Sequence, residues 1–297
     1  MTVTSQSGKS DCHFLRALLR EGKGRLEASM VENARREAEW LLSHLLGIPA
    51  MELYLSPDRE LPPPLIERFL SSVAQRAAGV PLQYLLGETE FFGASFAVEP
   101  GVFIPRPETE AVLERALAAL RPQAGKGREP LRLLDLGTGS GCLAVTLARA
   151  LSPCLVVGVE LSWTALSMAR RNVRRHGVEG TVLLVQGCWA DALRGTFDGI
   201  VSNPPYVPGD QVNRLPLDVR REPRLSLDGG PEGMRALAHL LAEAPRVLRP
   251  RGVFALECGE EQVERLLRLA SDADWVEAAE SINDLAGRPR GLLLTRR

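Results

Sequence analysis

The sequence predicts an α/β protein, with a doubly wound and mostly parallel β-sheet, an N-terminal helical bundle and a linking β-hairpin. From residue 131 onward, seven strand-like runs alternate with helical patterns, which is the order that parallel sheets require. The strands are almost continuously apolar, as strands covered on both faces are. Before residue 78, apolar residues recur at steps of three and four, which predicts helices instead.

Length and composition exclude several classes of protein. A chain of 297 residues favours two domains, and 45% hydrophobic with 25% charged residues is typical of a globular protein. A formal net charge of -1 gives no basic field for nucleic acid or an anionic membrane. Because we find neither a long apolar run nor a secretory signal, we expect a cytoplasmic protein without a membrane span.

Cysteine and histidine spacing predicts neither disulfides nor a metal site. The cysteines are odd in number and never form a C-x-x-C pair, and no two histidines have the spacing of metal ligands. They are Cys12, Cys142, Cys154, Cys188 and Cys258, with His13, His44, His176 and His239. We therefore expect a reducing compartment and no bound metal.

Residues 1–81 are predicted to form a helical domain. The run Ser29–Glu32 has the spacing of a capping box, which predicts a helix from there to Gly47. A second helix is predicted after prolines 62–64, ending before Gly79. No glycine-rich loop or acid–base cluster occurs in this region, so both substrate recognition and pure support remain open.

Residues 82–104 are predicted to be a β-hairpin linker, and residues 105–297 the second domain. The linker mixes aromatic residues, alternation and glycine, with Gly93 near the turn. Within the second domain, residues 121–130 are rich in glycine, proline and charge and predict a flexible loop before the first strand.

A glycine-rich loop follows that first strand. Residues 135–141 run Asp-Leu-Gly-Thr-Gly-Ser-Gly and open a helix, which is where an open α/β sheet binds its ligand. Cys142 takes the place of the third glycine of a dinucleotide fingerprint, so a pyrophosphate is disfavoured. The helix N-terminus suits a carboxylate such as that of S-adenosylmethionine. The candidate cofactor-binding residues are Gly137, Thr138, Gly139, Ser140 and Gly141, the alternative being a plain tight turn.

Glu160 ends the next strand, 23 positions after Gly137. A carboxylate about 20 residues beyond the glycine loop is typical of a group that binds ribose hydroxyls. The alternative is an ordinary exposed glutamate at a strand end.

The sequence Asn203-Pro204-Pro205-Tyr206 directly follows another strand. An amide or aromatic amine nitrogen is a poor nucleophile, so its activation depends on geometry. The side-chain oxygen of Asn203 and the carbonyl of Pro204 can accept both hydrogens of an –NH₂ group and aim its lone pair at an electrophilic methyl. The prolines fix the turn, and Tyr206 supplies a flat wall. Orientation of this kind is worth up to about 7–11 kcal/mol of barrier.

These motifs together resemble those of S-adenosylmethionine-dependent amino-methyltransferases with an Asn-Pro-Pro-Tyr sequence, a group that modifies either adenine or glutamine. Residues 104–110 (Ile-Pro-Arg-Pro-Glu-Thr-Glu) and 222–230 (Glu-Pro-Arg-Leu-Ser-Leu-Asp-Gly-Gly) resemble signatures of the release factor glutamine methyltransferase (HemK/PrmC) family. Residues 87–93 and 284–288 match it too, so the resemblance covers nearly the whole chain.

This resemblance implies a Rossmann-like, seven-stranded S-adenosylmethionine methyltransferase sheet. It implies methyl transfer to the side-chain amide nitrogen of the glutamine in the Gly-Gly-Gln motif of peptide-chain release factors, with S-adenosylhomocysteine as product. The helical bundle would bind the release factor, and a monomer is expected, with no direct contact to nucleic acid or membrane. Asn203 would hold the glutamine amide beside the cofactor, and Pro204, Pro205 and Tyr206 would complete the substrate clamp. Trp189 would lie near the adenine, unless it is a core residue.

Two positions depart from the family pattern. Cys188 stands where an aspartate is common, and Glu160 is one methylene longer than the usual aspartate. We interpret Arg106, Glu108 and Glu110 as structural rather than acid–base residues. Two further methyltransferase hypotheses remain, with a ribosomal-protein glutamine or an adenine in nucleic acid as substrate. A net charge of -1 disfavours the latter.

Overall fold

The computed structural model describes residues 14–124 and 129–297, which form two compact units. The first unit contains the described residues up to Gly87 together with Leu217–Arg221, and the second unit contains Glu88–Pro216 and Glu222–Arg297. Cys12 and His13 lie outside the described residues, as do residues 125–128 of the predicted loop.

The first unit is helical, as its sequence predicts. Its helices are α1 (Leu15–Ala28), α2 (Ala34–Leu46), α3 (Pro63–Ala77) and α4 (Leu82–Leu86). Helix α3 begins in the proline run because proline is well suited to the first turn, where its missing N–H is not needed. Helix α2 ends at Gly47, which has a left-handed φ of 66°. Buried leucines with Ile66, Phe69 and Val73 form the core of this unit.

The capping box predicted at residues 29–32 is wrong. Ser29 ends α1, and its hydroxyl donates to the carbonyl of Arg25. Because that side chain is committed to the preceding helix, it cannot cap the next one. Helix α2 begins later, after Asn33.

The segment Leu217–Arg221 packs with the helices of the first unit. The Arg76 guanidinium donates to Glu37 at 2.5 Å and to Asp218 at 3.2 Å. Gly79 lies against the side chain of Leu217, where a β-carbon would collide with it. A short piece of chain far along the sequence is thereby part of the N-terminal fold.

The hairpin lies in the second unit and is shorter than the predicted linker. Strands β1 (Glu88–Phe91) and β2 (Ala94–Ala97) pair antiparallel. Phe92 and Gly93 connect them with positive φ values of 52° and 68°, the turn that matches strand twist. Residues 82–86 form α4 instead of strand, because Pro81 precedes the first turn and left-handed Gly87 ends it.

A seven-stranded sheet forms the body of the second unit, which confirms the predicted fold class. Its strands lie in the order β5-β4-β3-β6-β7-β9-β8, with β3 to β7 parallel and β9 antiparallel to both of its neighbours. They are β3 (Leu131–Leu136), β4 (Cys154–Glu160), β5 (Val182–Gln186), β6 (Phe197–Ser202), β7 (Leu248–Glu257), β8 (Val276–Asn283) and β9 (Pro289–Arg296).

Helices cover both faces of this sheet. They are α5 (Pro107–Leu120), α6 (Cys142–Ala150), α7 (Trp163–Arg175), α8 (Arg235–Val247) and α9 (Val263–Ser271). One core cluster joins the sheet to α5, α6, α7 and the hairpin, and another joins it to α8 and α9. Chain order changes direction between β3 and β6, so the loops after β3, β4 and β6 meet at the carboxyl edge of the sheet.

Over the ranges 14–124 and 129–297, none of the helices combines the length and the apolarity that crossing a bilayer requires.

Two glycines of α1 provide a matched test of the packing in the first unit. A β-carbon on Gly22 would lie 2.5 Å from the ring of fully buried Phe69, whereas one on Gly24 would meet nothing within 4 Å. We expect Gly22→Ala to lower the local free energy of unfolding by about 1–3 kcal/mol through overpacking. Gly24→Ala should raise it by up to about 1 kcal/mol through helix propensity.

Hydrogen exchange of the α1 to α3 amides, measured by mass spectrometry, checks both changes. Equal protection in the two variants would contradict close packing of Gly22 against the Phe69 ring.

Candidate active site

A cavity of about 470 Å³ opens at the carboxyl edge of the sheet, a volume in the range of ligand sites. It brings together predicted residues from the loops after β3, β4, β5 and β6. Those that line it are Gly137, Thr138, Gly139, Ser140, Glu160, Trp189, Asn203, Pro204 and Pro205. Of the predicted site residues, all of them described, Gly141 and Tyr206 do not line it.

The three glycines of the loop share one backbone requirement, and Gly141 has a second. All have positive φ, at 77° for Gly137, 56° for Gly139 and 83° for Gly141, a region that side chains disfavour. A β-carbon on Gly141 would also lie 3.1 Å from the β-carbon of Ala169 in α7. Gly141 therefore permits close packing of the loop on α7.

Asp135 anchors the loop from within β3. Its side chain is fully buried, and Oδ2 accepts from the Thr138 hydroxyl at 2.5 Å and from the Ala144 N–H at 3.0 Å. Burial raises the pKa of this carboxyl to about 7, although both hydrogen bonds favour the ionised form. The same carboxylate thus fixes the loop and the first turn of α6.

Glu160 holds the opposite side of the loop. Its carboxylate accepts from the N–H of Gly139 at 2.9 Å and from the N–H of Ser162 at 2.8 Å. Because each carboxylate oxygen has two acceptor positions, Glu160 retains capacity for ribose hydroxyls on the cavity side. Its ribose role stays a prediction.

Trp189 belongs both to the core and to the cavity wall. The indole packs on the cluster beneath α8 and also lines the cavity, and its backbone has a φ of 43°. The nearest ring atom would lie 3.4 Å from a β-carbon on Gly137. The exposed Cys188 lines the cavity beside it.

The side chain of Asn203 is oriented by Thr109. Its Nδ2 donates to the hydroxyl oxygen of Thr109 at 3.0 Å, and Thr109 is buried in the first turn of α5. With the amide nitrogen bound in this way, Oδ1 is the atom available to a ligand, and none of the residues in the described ranges donates to it. The sequence places Thr109 inside the Pro-Glu-Thr-Glu string but does not indicate this contact.

Tyr206 lies behind the Asn-Pro-Pro turn instead of facing the cavity. Its hydroxyl donates to Glu257 Oε1 at 3.2 Å, and its ring packs in the core. Gln262 Nε2 donates to the Tyr206 carbonyl at 2.9 Å. Burial, reinforced by the Glu257 carboxylate, raises the pKa of the Tyr206 phenol well above its ordinary value. In this arrangement Tyr206 supports the turn from the protein side.

Gly229, within the 222–230 string, and Gly233 after it lie close to the turn. A β-carbon on Gly229 would lie 2.8 Å from the carbonyl oxygen of Pro205, and one on Gly233 would collide with the carbonyl oxygen of Tyr206. Asp228 closes this segment by accepting from the N–H of Gly230 at 2.9 Å. Absence of side chains here allows one backbone to lie directly on the other.

Glu222 connects the two signature strings. It is buried, and its carboxylate accepts from the N–H of Ile104 at 3.0 Å and from the Arg106 guanidinium. Arg106 also lies over the ring of Phe103, 5.2 Å from its centroid. Phe103 lines the cavity, so this ion pair fixes part of the cavity wall.

The neighbouring glutamates also have structural contacts. Glu110 Oε1 accepts from the N–H of Phe92 in the hairpin at 2.8 Å. Glu108 Oε1 lies 3.9 Å from the guanidinium of Arg290. These contacts agree with the interpretation of both as structural residues.

Glu257 is a buried carboxyl group whose role the sequence does not indicate. It ends β7, and burial raises its pKa to about 7, while hydrogen bonds from Thr109 and Tyr206 act in the opposite direction. The only signal in the sequence is an acidic residue at the end of an apolar run. Glu257 therefore links Thr109, which orients Asn203, with Tyr206 in one buried polar network.

Comparisons of the chain with known proteins indicate a methyltransferase. The family model "Methyltransferase small domain" matches residues 109–217. A crystal structure of a methyltransferase from Pyrococcus furiosus has the same fold, with a TM-score of 0.50 and 24% identity, covering 77% of this chain and 96% of that one.

More specific matches cover almost the whole chain. The family model "PrmC N-terminal domain" matches residues 17–87. The release factor glutamine methyltransferase of Moorella thermoacetica is 42% identical over 95% of this chain and 99% of its own length. The one from Nitratidesulfovibrio vulgaris is 40% identical over 95% of both chains. The chain belongs to the release factor glutamine methyltransferase family.

The raised pKa of Glu257 predicts a pH-dependent stability. The folded state holds this proton more tightly than the unfolded state, so stability is lost as pH rises from about 4.5 to about 7. Glu257→Gln removes this loss. We compare the free energy of unfolding of this variant with that of the wild type. The difference should shift in favour of the variant by about 2–3 kcal/mol as pH rises from about 5 to about 8.

Urea unfolding at several pH values measures this difference. The matched control is Glu261→Gln, which changes an exposed glutamate and should follow the wild-type curve. A Glu257→Gln curve parallel to the wild type would exclude a titrating Glu257.

Proposed function

We propose that this chain transfers a methyl group from S-adenosylmethionine to the side-chain amide nitrogen of the glutamine in the Gly-Gly-Gln motif of peptide-chain release factors. The observation that carries the proposal is the orientation of Asn203 by Thr109, which leaves an amide oxygen free at the cavity beside two rigid prolines. The names of the relatives support release factors as the substrate.

The cavity residues fit S-adenosylmethionine. Gly137 and Gly139 leave room for a ligand at the loop, and Glu160 retains acceptor positions for ribose hydroxyls. The Trp189 indole offers an apolar wall suited to an adenine ring. When bound, the cofactor supplies an electrophilic methyl group on a sulfonium sulfur.

The substrate glutamine is held by the residues after β6. Asn203 Oδ1 accepts one hydrogen of the glutamine –NH₂ group, and the carbonyl oxygen of Pro204 accepts the other. Both hydrogen bonds draw electron density onto the nitrogen and fix the direction of its lone pair. Positioning is the main contribution, worth up to about 7–11 kcal/mol when the reacting atoms are held in line.

Supports beneath the turn keep Asn203 in this orientation. Thr109 holds the amide nitrogen at 3.0 Å, so the side chain cannot present its N–H₂ end to the substrate without losing a buried hydrogen bond. Glu257 and Gln262 hold Tyr206 in place. We propose that Tyr206 acts as a positioning residue on the protein side of the clamp.

We assign recognition of the release factor to the N-terminal domain, residues 1–81, with residues 82–104 as the link to the methyltransferase domain, residues 105–297. The match of residues 17–87 to a dedicated N-terminal family model supports a separate role for this region.

A label-transfer experiment tests the proposed function. Labelled S-adenosylmethionine is incubated with the enzyme and intact release factor, or the factor with its Gly-Gly-Gln glutamine replaced. A ribosomal-protein mixture and duplex DNA are the other acceptors. We expect label in the intact factor only. Label in DNA would indicate adenine methylation, and label in a ribosomal protein would indicate another glutamine.

The clamp predicts separate effects on binding and turnover. Asn203→Ala should keep the affinity for S-adenosylmethionine within a few-fold yet lower kcat by on the order of 10²-fold, because a positioning group is lost. Steady-state kinetics with release factor and calorimetry with S-adenosylhomocysteine measure the two effects. An unchanged kcat would contradict the clamp mechanism.

Three further variants sharpen this test. Thr109→Val removes the hydroxyl that orients Asn203 and should lower kcat in the same direction, whereas Thr109→Ser retains it. Asn283→Ala changes an exposed asparagine outside the cavity and should leave kcat at the wild-type value.

A further inference from the structure

Asn172 is a buried amide side chain that binds two segments of the second unit. It lies on α7 with 0% exposure. Its Oδ1 accepts from the N–H of Ala97 at 2.8 Å, and its Nδ2 donates to the carbonyls of Ala97 at 3.0 Å and Ser140 at 2.8 Å. Both hydrogens of the side-chain amide are therefore used, and each goes to a different backbone segment.

Both segments form walls of the cavity. Ser140 belongs to the glycine loop and lines the cavity itself. Ala97 ends β2 and leads directly into the stretch that contributes Gly101, Phe103 and Pro105 to the opposite wall. Ala97 is fully buried and does not line the cavity. Asn172 thus binds the backbone of both walls without lining the cavity itself.

The rest of this face of α7 allows the same close approach. Ala169 lies against Gly141 of the loop, and Ala165 lines the cavity. Ala97 and Val102 pack with Ala165 and Met168 in a small buried cluster. Within this otherwise apolar contact, Asn172 provides hydrogen bonds with fixed directions.

Other polar residues of α7, a helix described in full, do not bind the glycine loop. The Arg175 guanidinium donates to Glu88 at 2.8 Å in an exposed ion pair, and Arg170 lies over the Trp163 ring, 5.8 Å from its centroid. Neither reaches the glycine loop. In the described part of α7, Asn172 is the polar side chain whose hydrogen bonds join the loop to the hairpin.

We propose that Asn172 is a positioning residue for cofactor binding, which sets the spacing between the glycine loop and the wall formed by residues 101–105. It acts through Ser140 and Ala97 and does not touch the cofactor. This inference rests on the proposed function, since it assumes that S-adenosylmethionine occupies this cavity.

Substitution of Asn172 tests the proposal by binding and kinetics together. Asn172→Ala removes all three hydrogen bonds, and Asn172→Asp keeps only the acceptor for Ala97 N–H. The matched control is Val173→Ala, a buried neighbour on α7 that makes apolar contacts. We expect both Asn172 variants to weaken S-adenosylhomocysteine binding about tenfold, because loop and wall lose a buried polar connection.

The kinetic readout separates positioning from general destabilisation. In the Asn172 variants, KM for S-adenosylmethionine should rise about as much as Kd does, while kcat for release factor changes less. Val173→Ala should keep Kd within about twofold at a temperature where it is folded. Unchanged Kd in folded Asn172 variants, or an equal loss in the control, would overturn the proposal.

Hydrogen exchange of the wild-type enzyme tests the same coupling without any variant. Binding of S-adenosylhomocysteine should slow exchange of the Ala97 amide together with the amides of residues 137–141, although Ala97 does not line the cavity. Protection confined to the loop would overturn the role of Asn172. Failure of the wild type to bind S-adenosylhomocysteine would instead remove the proposed function, and this inference with it.

Discussion

Burial of the Asp135 carboxylate is the constraint on which the candidate site depends. A carboxyl group in the middle of an apolar sheet is costly unless it is hydrogen-bonded, and here the glycine loop and the first turn of α6 supply the donors. If the loop moved away, the buried Oδ2 would lose its hydrogen bond from the Thr138 hydroxyl. Glu160 and Asn172 then hold the loop from two other directions. A segment rich in glycine, which is flexible in isolation, is fixed on three sides.

The second half of the site, the Asn-Pro-Pro turn, is likewise fixed by contacts from several surrounding segments. The Asn-Pro-Pro turn is supported by Thr109, by Gln262 and by the glycine-rich segment at residues 229–233. Glu222, at the start of the 222–230 string, ties that string to the cavity wall before α5. The signature strings, which are far apart in sequence, are therefore parts of one assembly around the cavity.

The sequence predicted the sheet and most of the cavity because both follow from local patterns. Alternating apolar runs specify strands and helices, and parallel strands bring their carboxyl ends together, so Glu160 and Asn203 could be assigned to one edge. Thr109, Glu257 and Asn172 could not be found in this way. Their roles come from tertiary contacts across 94, 51 and 75 positions of sequence, and single polar residues in helices or at strand ends carry no periodic signal. Ser29 shows the reverse case, in which a local motif was present but a preceding helix used its side chain.

The membership of Leu217–Arg221 in the first unit has a consequence for synthesis on the ribosome. Arg76 and Gly79 are made early, but the residues they pack against, Asp218 and Leu217, come about 140 positions later. The first unit therefore cannot reach its final packing until most of the sheet unit has left the ribosome. A chain cut at residue 87 would likewise separate these partners, leaving the Leu217 side chain without its packing surface in one fragment and the Arg76 guanidinium without Asp218 in the other. Division of this protein at residue 87 into independently produced halves thus cuts through a folded unit, even though the boundary between the two units lies there.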